Sequence, residues 1–142
     1  MAIQLLGSDG ATLLNVDSST GSVKVLPYVP AITQYNLISA ATTNAASIKA
    51  TLGKVYWLYA VNTGATAAVV KLYNKASAPT VGTDVPVVLL PLAAGASGYI
   101  DFSSLGYDFS VGIAISISGG ILDADVAAVL AAQVKVSLKY NS

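Results

Sequence analysis

The sequence predicts an all-β protein: an antiparallel β-sandwich or jelly roll of about seven or eight strands, preceded by an N-terminal extended or hairpin arm. Three observations support this prediction. All seven basic residues are Lys and all seven acidic residues are Asp, so the strong helix formers Glu and Arg are missing. Apolar residues alternate with polar or small ones over several short segments. Gly, Pro, Asn and Asp recur between these segments as turn signals.

Residues 1–30 are predicted to form an assembly arm, and residues 31–142 the sandwich body. Asp9-Gly10 and Asp17–Gly21 are turn signals between three short apolar segments. Leu26–Ala31 contains two prolines, which lack the N–H that a central strand needs, so it is predicted to be a linker. Two short hairpins alone are marginal in water, so we expect the arm to pack on a neighbouring chain or on its own body. Its predicted anchoring residues are Ile3, Leu5, Leu6, Leu13 and Leu14.

The segment from Lys54 to Asn74 is predicted to be a central hairpin. Both of its arms are rich in apolar and β-branched residues, and Asn62 and Gly64 lie between them, where they tolerate positive φ. A buried indole removes roughly 150 to 250 Å² from water, and its loss typically costs about 3 to 5 kcal/mol. Trp57 and Tyr59, both on the first arm, are therefore predicted as anchors of the core.

The rest of the body is predicted as short strands joined by turns and loops. The run QYNLISA, from Gln34, is predicted to be an edge strand, and Lys75–Pro86 a loop. Val111–Ser118 and Gln133–Tyr140 alternate as half-buried strands do. Asp123–Ala132 is predicted either as a helix, because an Asp precedes a run of Ala and Leu, or as an irregular loop. The other predicted strands are Ile48–Thr51, Val87–Leu92 and Tyr99–Phe102.

The composition excludes several classes of chemistry. The chain has no Cys and no His, which excludes disulfides, zinc sites of the Cys/His kind and a His general base. Glycine-rich phosphate loops, the G-x-S-x-G elbow and zinc motifs are absent, so no cofactor and no metal are predicted. Hydrophobic residues make up 54% of the chain, charged residues 10%, and the net charge is zero. Little self-repulsion keeps such a chain dispersed, which favours a subunit packed among neighbours.

The sequence predicts neither secretion by a signal peptide nor a membrane partner. Its first residues, MAIQLLGSDG, lack the basic segment and long apolar core of a signal peptide. The longest apolar run, Val85–Ala96, is broken by Pro86 and Pro91 and is shorter than the roughly 20 residues of a membrane-spanning helix.

Two pairs of acidic residues could in principle carry chemistry. Asp123 and Asp125 follow a glycine pair and could offer oxygens to calcium, but no further acid lies at an EF-hand spacing. Asp101 and Asp108 could form a glycosidase pair, which requires a defined separation in space. A helix cap, a solvated loop and ordinary turns are the simpler interpretations, so no catalytic residue is predicted.

Two further clusters could bind a partner. A weakly basic strip could contact nucleic acid, but Arg is missing and the net charge is zero, so no nucleic acid is predicted. Tyrosine rings could stack on a glycan, or fill core positions. The strip is formed by Lys49, Lys54, Lys71 and Lys75, and the tyrosines are Tyr56, Tyr59 and Tyr73.

The middle of the chain resembles a known class of proteins. The segments VYWLYAVN and KLYNKASAPTVGTD, the glycine-rich turn after them and the alternating GIAISIS strand occur in this order. They resemble small β-sandwich proteins found among bacteriophage virion structural genes, over roughly Tyr35 to Tyr140. The N-terminal arm is similar to segments that tether accessory proteins to a phage head or tail. The alanine-rich DADVAAVL run departs from the more polar loop expected there.

The resemblance implies a non-enzymatic virion protein that decorates or cements a capsid through self-association and lattice contacts. It would be made in the host cytoplasm and located in the virion, at the capsid surface or tail. Its partners would be copies of itself, with a trimer one possible homo-oligomer, and the major capsid or other virion proteins. The alternative is a fibre- or tail-associated module that binds a receptor or glycan. A hydrolase built on Asp pairs is the remote third interpretation.

Overall fold

The computed structural model describes residues 4–6, 13–16, 23–25 and 31–141. The chain divides into two compact units, residues 1–31 and residues 32–142. In the first unit, β1 (Gln4–Leu6), β2 (Leu13–Val16) and β3 (Val23–Val25) form an antiparallel sheet in the order β1-β2-β3. No helix in the described ranges is long and apolar enough to cross a membrane.

The second unit contains nine strands in two antiparallel sheets, which confirms the all-β fold class. One strand more than expected is found, because Tyr107–Phe109 pairs with β6 as a short strand of its own. The nine strands are β4 (Ile32–Ile38), β5 (Ala46–Lys49), β6 (Gly53–Asn62), β7 (Ala68–Asn74), β8 (Val88–Leu92), β9 (Ser97–Asp101), β10 (Tyr107–Phe109), β11 (Ile113–Ser118) and β12 (Val134–Asn141).

The strand order is that of a jelly roll. One sheet has the order β10-β6-β12-β4, with β9 also paired to β6, and the other has the order β5-β11-β7-β8. The antiparallel pairs are nested: β7 with β8, β6 with β9, β5 with β11, and β4 with β12. One long antiparallel ribbon rolled into two facing sheets gives this pattern, which is the arrangement of jelly rolls.

The core lies between the two sheets and follows the alternation in the sequence. Ile113, Ile115 and Ile117 of β11 point into it, as do Leu58 of β6 and Leu138 of β12. Because successive residues of a strand point to opposite faces, each strand contributes every second side chain. The remaining fully buried apolar core residues among those described are Val55, Ala60, Ala68, Val70, Leu72, Phe109 and Val134.

The prediction of a central hairpin between Lys54 and Asn74 is wrong. Strand β6 belongs to the five-stranded sheet and β7 to the four-stranded one, so the residues between them cross from one sheet to the other. Asn62, expected in an exposed turn, is fully buried at this crossing. Asn and Gly allow the chain to reverse direction in a hairpin and in a crossing between sheets alike. Placing β6 and β7 in different sheets buries apolar side chains of both strands in the core between them.

The structure also corrects the expected core anchors. Trp57 and Tyr59 are only half-buried and lie on the solvent side of β6, outside the core cluster. The register of β12 against β6 shifts between Lys139 and Tyr140, opposite Trp57 and Val55, so Tyr56 is the extra residue of a β-bulge. A bulge changes which face the following residues occupy. Leu58 and Ala60 therefore fill the core positions that the plain alternation assigned to Trp57 and Tyr59.

The outer side of the four-stranded sheet is covered by residues 119–133, called here the 119–133 loop. The Nζ of fully buried Lys71 donates to the Leu122 carbonyl at 2.6 Å, and the Ser39 hydroxyl donates to the Leu130 carbonyl at 2.8 Å. Val129 is buried. The segment Asp123–Ala132 is thus an irregular loop and not a helix, and the carbonyl groups of Leu130 and Ala132 accept hydrogen bonds from Ser39 and Thr63 of the sandwich.

Candidate assembly surface

The solvent side of the five-stranded sheet, called here the open face, is not covered by any described loop. Its central aromatic pair is Trp57 and Tyr59 on β6, whose rings are parallel within 6° with centroids 5.6 Å apart. The Lys139 ammonium lies 5.5 Å from the centre of the Trp57 ring, a favourable cation–π distance. Tyr99 of β9 is opposite Tyr59 in the register and is exposed. Aromatic and aliphatic groups therefore cover the centre of this sheet, with the charged residues Lys135, Lys139 and Asp101 beside them.

A shallow depression of about 300 Å³ lies on the open face beside the aromatic pair. Tyr59 and Val61 of β6 form one wall, and Asn36 and Ile38 of β4 form another. The alkyl stem of Lys135 lies between them on β12. The depression is open and mostly apolar, which suits contact with a complementary surface better than the enclosure of a small substrate.

Strand β4 forms one margin of the five-stranded sheet. It pairs with β12 over all seven residues, from Ile32 opposite Asn141 to Ile38 opposite Lys135. In the part of the chain that the structure describes, no strand pairs with its other side. Its exposed side chains include Ile32 and Ile38. This agrees with the edge strand predicted from QYNLISA.

The 119–133 loop presents large apolar side chains to solvent. Ile121, Leu122, Val126 and Leu130 are each between 58% and 72% exposed. The loop backbone is held by the sandwich, where Lys71 donates to the Leu122 carbonyl, and by bonds within the loop, such as the Gly119 N–H donating to the Ala127 carbonyl at 2.9 Å. A loop with a bonded backbone and exposed apolar side chains has the character of a contact surface.

A second depression, also of about 300 Å³, lies at the end of the sandwich where β6 meets β10. Leu52 and Phe109 line it, and Lys54 pairs there with Asp108 at 2.8 Å. The Asp108 side chain is 75% exposed and the Lys54 side chain 39%, and such solvent-accessible pairs contribute about 0 to 1 kcal/mol. This end is held mainly by the aromatic contacts of Tyr107 with Phe102 and Phe109.

The four lysines of the possible basic strip do not lie together as free cations. Lys71 is buried under the 119–133 loop. Lys75 bonds to Asp84 at 2.5 Å, and Lys54 is paired with Asp108. The Lys49 ammonium donates to the Asn141 carbonyl at 3.2 Å. The structure therefore assembles no basic groove from these side chains.

The acidic pairs hold turns. The Asp101 carboxylate accepts from the Ser103 N–H at 2.8 Å, and the Asp125 carboxylate accepts from the Ala127 N–H at 3.0 Å. Asp108 is the partner of Lys54. Within residues 31–141 and the short arm strands, no three acidic side chains are grouped closely enough to hold a metal ion.

The tyrosines singled out from the sequence are separated by the fold. Tyr73 is buried, with its hydroxyl 3.0 Å from that of Ser116. Tyr56 is half-buried beside the turn at Gly106. Tyr59 alone reaches the open face. The exposed tyrosine next to it, Tyr99, was missed because its short strand gave no sign of which sheet it joins.

Burial and pairing shift three ionisable groups. Burial raises the pKa of Tyr35 on β4 above its usual value. Burial also raises the pKa of Tyr73, against the opposing effect of its bond with Ser116. The hydrogen bond from Lys75 holds the pKa of Asp84 below its usual value, with help from the Thr80 N–H. At pH 7 the two tyrosines therefore stay protonated and Asp84 stays ionised, as these groups ordinarily are.

The five predicted anchoring residues belong to the arm. Ile3 lies outside the described residues. Leu5 and Leu6 lie on β1, and Leu13 and Leu14 lie on β2. Their anchoring role stays a prediction.

No protein-family model and no curated protein sequence matches this chain. Among solved structures, the chain is similar to the coat protein of Tobacco streak virus, with 15% identity and a TM-score of 0.36. The match covers 82% of this chain and 89% of that one. Identity and TM-score at this level do not support a functional inference.

Proposed function

We propose that this chain is a non-enzymatic structural protein of a bacteriophage virion, which decorates or cements the capsid through self-association and lattice contacts. The observation that carries the proposal is the surface of the body. Thirteen large apolar side chains are exposed there, against five exposed charged ones among residues 31–141: Asp101, Asp108, Asp123, Lys135 and Lys139. A small protein that stays alone in solution normally exposes far more charge.

The fold and the sequence resemblance agree with this proposal. Jelly rolls serve as capsid and lectin domains and also as enzyme scaffolds, so the fold alone does not decide the function. The two depressions described above are open, and the described residues offer no group of three or more acidic side chains and no basic groove formed by Lys49, Lys54, Lys71 and Lys75. They do offer an uncharged sheet margin at β4 and an apolar loop at 119–133, which are surfaces for protein contacts.

The arm and the body would have different roles. The arm forms a compact unit with its own small sheet, and we propose that Leu5, Leu6, Leu13 and Leu14, with Ile3, grip the capsid lattice. The body would contact neighbouring copies. Many identical weak contacts on one lattice add up to firm attachment.

The alternative, a receptor- or glycan-binding module of a fibre, has less support. A sugar stacks on an open aromatic face, and the Trp57 ring already stacks on Tyr59 and carries Lys139. Tyr73 is buried. Tyr99 is the exposed ring that remains available for such contact.

Co-sedimentation of the purified chain with phage particles that lack it tests the proposal. The full chain should bind in a saturable manner, and a chain without residues 1–30 should stay folded and remain in the supernatant. Leu122→Ser with Leu130→Ser should weaken binding, whereas Leu105→Ser, at an equally exposed turn, serves as the control. Binding that survives removal of the arm would refute the anchoring role. A chain that binds glycans, but neither itself nor particles, would favour the alternative.

A further inference from the structure

We propose that two copies of this chain join edge to edge through strand β4, antiparallel about a two-fold axis at Tyr35. The two five-stranded sheets would then form one continuous sheet across the dimer. This inference deepens the proposed function, because it names a second copy of the chain as the partner and β4 as the contact.

The first reason is that β4 lacks the protection found at the other sheet margins. Exposed edges are normally blunted by charge, proline or short length, since they otherwise pair with another chain. Strand β5 has four residues and contains Lys49, and β8 contains Pro91. Strands β9 and β10 contain Asp101 and Asp108. Strand β4 has seven residues, with neither charge nor proline.

The second reason is that the core under β4 is incompletely covered. Tyr35 and Leu37 point inward and pack against the core, yet both remain half-buried. On the neighbouring strand, the inward Val136 and Leu138 are buried. A further strand beside β4 would extend the sheet over the exposed sides of Tyr35 and Leu37.

The third reason is that the sequence of β4 is complementary to itself. With Tyr35 on the axis, Ile32 lies opposite Ile38 of the second copy, and Gln34 lies opposite Asn36. These four residues share the open face. The register therefore matches aliphatic with aliphatic and carboxamide with carboxamide, and such cross-strand pairs are the unit of sheet stabilisation.

The two carboxamides keep one acceptor and one donor available for this pairing. Gln34 Nε2 donates to Asn36 Oδ1 at 3.1 Å and to Ser137 Oγ at 3.0 Å. Gln34 Oε1 and Asn36 Nδ2 have no partner within the described residues. Gln34 Oε1 is an acceptor and Asn36 Nδ2 is a donor. Asn36 of one copy can therefore donate to Gln34 of the other copy, on both sides of the axis.

Cysteine cross-linking tests the register directly, because the chain has no Cys of its own. Directly opposite residues have Cα atoms about 4.5 to 5.5 Å apart, within the roughly 4.4 to 6.8 Å that a disulfide spans. Diagonal neighbours lie about 7 to 8 Å apart, outside it. Full-length Gln34→Cys and Asn36→Cys chains, co-expressed with different tags and oxidised, should form a disulfide-linked heterodimer. Neither variant expressed alone should form a cross-linked dimer. Ser97→Cys, on the opposite margin of the same sheet, should form none either.

A charge exchange gives an independent readout by light scattering. Gln34→Lys with Asn36→Lys places like charges opposite each other and should convert the dimer to monomer. Gln34→Lys with Asn36→Asp places opposite charges across the axis and should restore the dimer. Unchanged circular dichroism would show that both variants fold.

Each result decides between the two proposals. An oligomer without the heterodimer cross-link overturns pairing through β4 and leaves self-association standing. A full-length chain that is monomeric at every concentration overturns both.

Discussion

Asn62 clamps the crossing between the two sheets, and its replacement should be among the most destabilising single changes in the body. Its Nδ2 donates to the Thr66 carbonyl at 2.8 Å and to the Ala93 carbonyl at 3.1 Å. Its Oδ1 accepts from the Gly64 N–H at 3.0 Å and from Gln133 Nε2 at 3.3 Å. The side chain thus joins the β6–β7 crossing, the end of β8 and the start of β12.

The size of the effect follows from these bonds. A typical hydrogen bond contributes about 1 kcal/mol net, and a buried group left without a partner costs about 1 to 3 kcal/mol. Asn62→Ala breaks these four bonds and a longer fifth one, from Nδ2 to the Leu92 carbonyl at 3.4 Å, but Gln133 keeps its contacts with Thr66. We therefore expect a loss of roughly 3 to 5 kcal/mol in the free energy of unfolding. At about 4 °C per kcal/mol for a domain of this size, the melting temperature falls by about 12 to 20 °C.

Asn62→Asp changes the hydrogen bonding of the side chain but keeps its volume, whereas Asn62→Ala removes both. The carboxylate keeps the acceptor but faces the Thr66 and Ala93 carbonyls without a donor, and burial should raise its pKa. A raised folded-state pKa means that acidification towards the unfolded value favours the folded state. This variant should therefore gain stability relative to Asn62→Ala between pH 7 and pH 4.

Urea unfolding at several pH values measures both effects. The control is Thr63→Ala, where an exposed hydroxyl bonds to the Gln133 carbonyl at 3.1 Å, and its cost should stay below about 1 kcal/mol. If Asn62→Ala costs no more than this control, the side chain is not the clamp described.

Three further outcomes follow from the structure. Trp57→Ala should destabilise the body less than Leu58→Ala, whose cost should be about 2 to 5 kcal/mol because Leu58 is fully buried; urea unfolding compares them, and the reverse order would restore Trp57 as the anchor. Lys71→Met should speed amide hydrogen exchange in the 119–133 loop, because the Leu122 carbonyl loses its donor; unchanged exchange would contradict this tether. Asp84 has a lowered pKa, so its stabilising effect is present above the unfolded value and is lost as the pH falls through the folded one. Thermal melts should show a smaller loss of stability on acidification in Asp84→Asn, and an unchanged acid profile would refute the assignment.

Local patterns in the sequence were sufficient to locate most strands of the body and to assign the two faces of β7. Alternation places Val70 and Leu72 on one face of β7 and Lys71 and Tyr73 on the other, and the structure has this arrangement. Alternation could not show that both faces of β7 are buried. The outer face is covered by the 119–133 loop, which is distant in sequence, and no local pattern reports such a contact.

Connections between strands were harder to predict for a related reason. Asn62 and Gly64 suit a hairpin turn as well as a crossing between sheets, and the choice depends on β12 and β9, which flank β6. The bulge at Tyr56 likewise depends on the register of β12, and it moved Trp57 out of the core. The 119–133 loop has the composition of a helix, but Ser39 and Lys71 bond its carbonyls from outside.

The two sides of the sandwich are unequal, and this inequality limits where a partner can bind. The four-stranded sheet is covered by its own chain, down to the fully buried Lys71. A partner on that side meets the 119–133 loop in front of Lys71, together with exposed strand residues such as Ser47 of β5 and Pro91 of β8. The five-stranded sheet keeps an exposed face around Trp57 and Tyr59 and an unprotected margin at β4. Pairing through β4 would leave this face exposed in both copies, so the dimer would present one broad surface, continuous across its axis, for further lattice contacts.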